Sequence, residues 1–456
     1  MGITSDAIFA ISCPDDSDTA STSNTFKVRI SNVEPEKFPS REFNVPCDGI
    51  DIDSRAHEWT NYFKCGLNGA LELLRKSYGE GFRPKSMNLL MDGSVPAGGG
   101  LSSSAAFVSG SALAVMFANG IENVSKVELT EIAIVAERSV GVNSGGMDQS
   151  ASVLSLRGSA LYVSFVPTLS ARPVQFPSTN PELTFLIAQS FVASEKHVTG
   201  PVCYNLRVVE CSLAAAYLHA LLNETKEPLP ADSGPLGISL CGFHEAYFKK
   251  RNSSLPINEQ LQELVEVAKS TFTKDEGYTR DEIAKVVGTT VPDLEQRYES
   301  TFPVRAEVFK LRQRALHVFS EALRVSKFIH LLENSSIYLS EGSSGSTESY
   351  NHRLGNLMNE TQDSCRDLYE CSCPELDELC TIAKKAGSYG SRLTGAGWGG
   401  CSVHLVPADK VNAVKRAWET EYYSKMSLTE EQKGGAVVVS KPGSGSVVLL
   451  VKNGRL

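Results

Sequence analysis

No stretch of this sequence stays apolar for the roughly 18 positions that a membrane-spanning helix needs. The richest, residues 105–118, is interrupted by Ser109, Gly110 and Ser111. No long run of lysine and arginine occurs, and the formal charge is -9. No nucleic-acid and no membrane partner is therefore expected. The first residues carry no basic segment ahead of an apolar one, so a secretory signal is not expected. They also miss the myristoylation pattern, because Asp6 stands where Ser or Thr is required. Cys365, Cys371, Cys373 and Cys380 lack the paired Cys-x2-Cys spacing of zinc modules and read instead as small apolar residues. The 11 cysteines are odd in number and scattered, which points to reduced thiols and a cytoplasmic location. No internal repeat is found. With 41% hydrophobic and 21% charged residues over 456 positions, what remains is a globular chain of two or three domains.

What is present alternates between strand-like and helix-like segments. Residues 25–32 alternate apolar and polar, as a half-buried strand does. Residues 17–24 read as a polar loop. Residues 58–77 read as an amphipathic helix, 87–91 as a short strand, and 103–118 as a helix. Ser125-Lys126-Val127-Glu128 is a capping box opening a helix with Val127, Ile132 and Val135 inward, ending near Gly141. Residues 160–165 and 183–189 read as strands. The Pro- and Asn-containing stretch 176–181 between them is the expected domain boundary. Helices are expected at 205–222, 257–271 and 304–332, and a strand at 401–406. Residues 223–236 and 340–349 are among the least core-like. Two Val-rich strands close the chain, split by the turn-rich residues 441–446.

Three segments carry chemistry. In the first, residues 95–106, Gly98, Gly99 and Gly100 precede Ser102, Ser103 and Ser104 at a helix start. Glycines let a backbone approach a bulky anion, and free helix N–H groups favour phosphate. The alternative is a flexible turn before a buried helix; the strand–loop–helix context favours the anion. It is neither a Walker A loop nor a dinucleotide fingerprint. In the second, residues 136–149, Glu137 ends an otherwise apolar helical stretch. It is either a Mg2+ ligand or a surface carboxylate pairing with Arg138 or a neighbouring helix, and the pattern does not choose. Gly145-Gly146 then presents Asp148, a proton acceptor or, on local pattern the better reading, a helix N-cap. In the third, residues 391–401, four glycines lead into a strand. Backbone there packs close to a ligand phosphate or to a neighbouring helix.

Together these segments resemble the GHMP kinase superfamily, and most closely its fungal galactokinase branch. Residues 59–66, 141–148, 204–210, 369–375 and 390–401 each resemble a segment of that branch, in order. The resemblance implies a two-domain α+β GHMP kinase fold. Its N-terminal domain, 1–180, would be like ribosomal protein S5 domain 2, and its C-terminal domain, 181–456, ferredoxin-like. It implies phosphorylation of the C1 hydroxyl of galactose by ATP with Mg2+, in a monomeric protein. Gly98, Gly99, Gly100, Ser102, Ser103 and Ser104 would cradle the phosphates, and Trp59 would border the adenine. Ser103 and Glu137 would hold Mg2+. Gly145, Asp148 and Tyr204 would contact galactose, with Asp148 the base. Arg138 stands where many relatives carry His, so no role passes to it.

The sequence departs from that family at its start. The signature Gly-Arg-x-Asn-Leu-x-Gly-Glu-His-x-Asp-Tyr is not found, and the resemblance begins at about Gly2. The expectation is an incomplete chain, with an unpaired sheet edge and weak sugar binding. The alternative functions are a non-catalytic galactose- and ATP-responsive regulator that engages a transcriptional repressor protein, or an inactive truncated chain. The intact stretch from Ser102 to Ala106 favours catalysis.

Overall fold

The computed structural model describes residues 1–14, 24–53, 56, 58–96, 100–140, 145–166, 168–192, 200–223, 227–340 and 346–451. The chain divides into two compact units, Met1–Phe176 with Ser440–Leu456, and Pro177–Val439. The division falls in the Pro- and Asn-containing stretch. It differs from a simple split at residue 180, because the last segment returns to the first unit. The reason is hydrogen bonding. Gly443 N–H donates to Gly2 O at 2.9 Å, Gly445 N–H to Ser155 O at 2.7 Å, and Gly158 N–H to Pro442 O at 3.0 Å.

The first unit holds strands β1 (Ala7–Ser12), β2 (Thr25–Asn32), β3 (Arg41–Pro46) and β4 (Met87–Gly93), in the order β1-β4-β2-β3. β1 runs antiparallel to β4, β4 parallel to β2, and β2 antiparallel to β3. Alternation places Phe26, Val28 and Ile30 inward and Lys27 and Arg29 outward. Helices α1 (Asn61–Tyr78), α2 (Ser103–Ala118), α3 (Lys126–Glu137) and α4 (Met147–Leu154) cover the inner face. A hairpin of β5 (Ser159–Ser164) and β6 (Ser170–Gln175) follows. α1 buries Phe63, Leu67, Ala70, Leu71 and Leu74 at helical spacing and ends at Gly79, φ +88°. It packs closely on α2 because Gly66 has no side chain. A Cβ there would sit 2.5 Å from the Val108 carbonyl oxygen.

The second unit is a sheet of four strands flanked by helices. The strands are β7 (Leu183–Gln189), β8 (Gly390–Leu393), β9 (Cys401–Pro407) and β10 (Val437–Ser440), in the order β10-β7-β9-β8. Its helices are α5 (Tyr204–Leu222), α6 (Leu240–Lys250), α7 (Ile257–Thr271), α8 (Arg280–Val287), α9 (Val291–Tyr298), α10 (Leu311–Glu333), α11 (Ser335–Ser340), α12 (Glu348–Asp367), α13 (Pro374–Lys385), α14 (Val411–Glu421) and α15 (Glu430–Gly435). The largest core gathers around α5, α6, α7 and α10. The fold class is α+β.

Three sequence expectations are corrected. The buried face of α3 is Leu129, Thr130, Ala133, Ala136 and Glu137, whereas Val127 and Val135 are exposed. The helix expected from residue 304 starts at Leu311. Before it, Phe309 and Tyr278 exchange backbone hydrogen bonds of 2.8 and 2.9 Å, which hold residue 309 extended. The final Val-rich stretch, residues 447–451, forms no strand and its apolar side chains are exposed. At Ser125 only half of the capping box is seen: its hydroxyl accepts from Glu128 N–H at 3.3 Å. The polar loop before β2 lies almost wholly outside the described residues. Cys365 and Cys371 are buried with Leu376 and Leu393, and all eleven cysteines are free thiols. No described helix is long and apolar enough to cross a membrane.

Candidate active site

The start of α2 is built to leave donors free. Gly100 and Ser102 are both left-handed, at φ +73° and +59°. Ser102 is the N-cap residue but its side chain caps nothing. A non-glycine residue held there stores strain, a recurrent property of functional turns. The first turn of α2 carries no acidic side chain, so none offsets its positive dipole end. Ser102, Ser103 and Ser104 are half-buried beside these N–H groups. Gly98 and Gly99 lie outside the described residues.

Glu137 is not a surface carboxylate. It is 2% exposed, the one buried acid of the first unit among the described residues. It also sits at the C-terminal end of α3, where the helix dipole disfavours negative charge. Folding alone would not choose either condition. Gln149, fully buried on α4, donates its amide to Glu137 Oε2. Burial pushes the Cys65 thiol up to about 12, and the Glu137 charge adds to the rise. Tyr62 is raised for the same two reasons, burial first. Both side chains therefore lie within electrostatic reach of Glu137.

Asp148 precedes Gln149, in the first turn of α4, and is exposed. It is not the N-cap that the local pattern favoured; Gly146 is, at φ +91°. A Cβ on Gly146 would lie 2.5 Å from Ile134 Cδ1, so glycine is required there on two counts. Gly145, just before it, is exposed. The neighbouring pair on α4 thus ties an outward carboxylate, Asp148, to an inward one, Glu137. The α-amino group of Met1 lies within electrostatic reach of Asp148. Burial lowers its pKa and the carboxylate raises it. α2 packs against both α3 and α4, so Ser103 belongs to the same group of elements. Sequence reasoning missed Gln149. The signal was a polar residue one turn from buried Val153 on the inner face of α4.

Trp59 is half-buried in an aromatic group. Its ring stacks on Phe107 at 5.9 Å and 15°, and its Nε1 donates to the Pro39 carbonyl at 3.1 Å. Phe9 stacks on the same Phe107 at 5.6 Å.

Tyr204 opens α5 in the second unit. Its ring packs on Trp398 with centroids 4.8 Å apart. The Gly-rich segment 394–400 packs on neighbouring backbone: Trp398 N–H donates to Cys371 O at 2.7 Å and Gly400 N–H to Val192 O at 3.1 Å. Beneath it lies a buried ion network absent from the sequence reading. Arg314 Nε meets Glu210 Oε2 at 2.6 Å and Arg314 Nη2 meets Glu370 Oε2 at 2.8 Å. Arg207 Nη1 meets Glu210 Oε2 at 3.0 Å.

Comparison with known proteins agrees with this architecture. The GHMP kinases N terminal domain matches residues 61–155, from α1 through α4, and the GHMP kinases C terminal domain matches 349–425. Both halves therefore have the character of GHMP kinases. A galactokinase of Saccharomyces cerevisiae is 42% identical over 446 residues, covering 92% of this chain and 82% of that protein. One of Candida albicans is 39% identical, covering 99% and 87%. The chain belongs to the galactokinase family. The crystal structure of Lactococcus lactis galactokinase complexed with galactose shares its fold, with a TM-score of 0.60 and 22% identity, over 98% of this chain and 88% of that one.

Proposed function

We infer that the chain is a galactokinase, transferring the γ-phosphoryl group of ATP to the C1 hydroxyl of galactose. The observation that carries the mechanism is the joining of a buried carboxylate and an exposed one through adjacent residues of α4. Phosphoryl transfer needs positioning and charge neutralisation more than covalent help from the protein. The free N–H groups and serine hydroxyls at the start of α2 would receive the phosphates. Glu137 and the Ser103 hydroxyl are hard oxygen donors, and Mg2+ commonly combines one or two such protein ligands with phosphate oxygens. A buried carboxylate at a helix C-terminus fits that cation. Mg2+, when bound there, would neutralise phosphate charge. Asp148 would hold the sugar hydroxyl and accept its proton. Gly145 and the hydroxyl of Tyr204 would contact the sugar. Trp59 would border the adenine, its ring fixed by Phe107 and Pro39. The regulator reading gains no support of its own, since the left-handed Ser102 and the serines after it are in place at α2.

The test is galactose-dependent ADP release. Wild type should turn over ATP only with galactose. Asp148→Asn should lower kcat by about 10²–10⁴ while ATP affinity, read by calorimetry, stays within about twofold. Equal turnover by the variant would remove Asp148 from the mechanism.

A further inference from the structure

Among the described residues, five other than glycine have left-handed backbone, and two of them, Glu370 and Trp398, are hydrogen-bonded to each other. Trp398 Nε1 donates to the Glu370 carbonyl at 3.0 Å. Both sit at φ +53°. The loop around Trp398 has Gly395, Gly397, Gly399 and Gly400 all at positive φ, so glycine is the residue its path favours. Position 398 alone among these keeps a side chain, and a large one.

The strain is held by buried charge. Arg207 Nε donates to the Tyr369 carbonyl at 2.5 Å and its Nη2 to that of Glu370 at 3.4 Å. Glu370 is gripped by Arg314 and Lys310, and Lys310 N–H donates to Glu210 Oε1 at 2.8 Å. Glu210 and Arg314 are each 1% exposed. The construction ends in two half-buried rings. Tyr204 packs on Trp398 at 4.8 Å, and Arg207, one turn along α5 from Tyr204, lies 5.8 Å from the same indole. Strain retained by a surrounding network that over-determines it is characteristic of functional positions.

We propose that Trp398 is a positioning residue, held by the Arg207–Glu210–Arg314–Glu370 network, that fixes the ring of Tyr204 for contact with galactose. This rests on the reading of Tyr204 as a sugar contact. A purely architectural role would be met as well by glycine at 398, which relieves the strain and keeps the 2.7 Å backbone bond to Cys371.

The experiment compares Trp398→Gly, Trp398→Phe and Tyr204→Phe in the full chain. Galactose and ATP affinities are measured by calorimetry, turnover by ADP release and folding by thermal midpoint. In Trp398→Gly, KM and Kd for galactose should rise about tenfold, with kcat and ATP affinity within about threefold. Trp398→Phe should restore most of the affinity. In the Tyr204→Phe background, Trp398→Gly should add little, because the two act as one unit. Unchanged galactose affinity in a folded Trp398→Gly, or an equal loss in both backgrounds, would overturn the proposal. Should Trp398→Gly fail to fold, Trp398→Leu in the same cycle decides by the same criteria. A wild-type chain that binds no galactose would overturn the substrate reading, and this proposal with it.

Discussion

The two units handle buried charge in opposite ways. In the second, charges of both signs come together from distant parts of the chain: Glu210 from α5, Arg314 from α10, Glu370 from the loop after α12. Opposite charges meet at 2.6–3.0 Å, and the network adds ionic ties between elements that already share a hydrophobic core. Among the described residues of the first unit, one carboxylate is buried, at a helix end that disfavours it, with a neutral amide from the next helix on one oxygen. The lesson concerns what each charge is for. A matched set, once desolvated, is costly to break, because removing one member leaves another charge buried without compensation. A buried acid at a helix end that disfavours its charge goes against the local rules, and such departures are expected at functional positions.

That contrast can be broken at its strongest point first. Arg314→Met should destabilise the protein by about 3–5 kcal/mol, because it takes from buried Glu210 one of its two guanidinium partners and leaves polar groups there unsatisfied. Urea unfolding checks this, and the double variant with Glu210→Leu should recover part of the loss. Glu137→Gln should do the reverse. Stability should hold within about 1 kcal/mol, since a buried charge is removed and an amide of equal size remains. Turnover should fall by about 10²-fold or more, and the Mg2+ dependence of ADP binding should weaken. A large loss of stability with intact turnover would erase the distinction between the units.

Acid sharpens the contrast further. Burial holds His404 at about 3 and His317 at about 4. His404 lies between the hydroxyls of Ser402 and Ser391 against Trp418. His317 stacks on Tyr369, with Glu321, Arg324 and Arg392 acting on it. In the unfolded chain both take a proton near pH 6.5. Folded, they resist it. Their stabilisation is therefore complete above about pH 6.5 and is lost progressively as pH falls toward their folded values. Glu321, held below its ordinary range despite burial by Arg392, Thr361 and Arg324, adds loss in the same direction at lower pH. Unfolding free energies from urea titrations at pH 7.5 and 5.0 should differ by a few kcal/mol, and His404→Asn should flatten the slope. The smallest expected effect is at the first unit's cap. Ser125→Ala should cost about 1 kcal/mol, read by thermal midpoint, with turnover unchanged.

Much of the architecture was legible because local patterns carried it. Residues 25–32, 103–118, 183–189 and 257–271 form the elements that their periodicity or apolar content indicates. The readings that went astray share a cause. The inner face of α3 has one large apolar residue, Leu129; the rest, Thr130, Ala133, Ala136 and Glu137, carry little hydrophobic signal beside the valines that turned out to be exposed. The start of α10 was displaced by pairing of Phe309 with Tyr278, and residues 447–451 have strand propensity without a strand to join. At the site, Glu137 and Asp148 were visible as residue types, but not the assignment of one inward and one outward. That depends on Gly146 as cap and on Gln149 reaching back to α3. The ion pairs of Arg314 had no local signature, since Glu210 lies 104 positions away and Glu370 56.

The return of Ser440–Leu456 to the first unit has a consequence for how the protein is made. Glycines 443 and 445 close backbone bonds to Gly2 and Ser155. They leave the ribosome only after every residue of the second unit. Domains generally fold in the order in which they emerge. Here the half translated first must wait for the last segment, while the half translated second is complete before it. The nascent first unit is thus the part exposed longest to chaperones and proteases during synthesis.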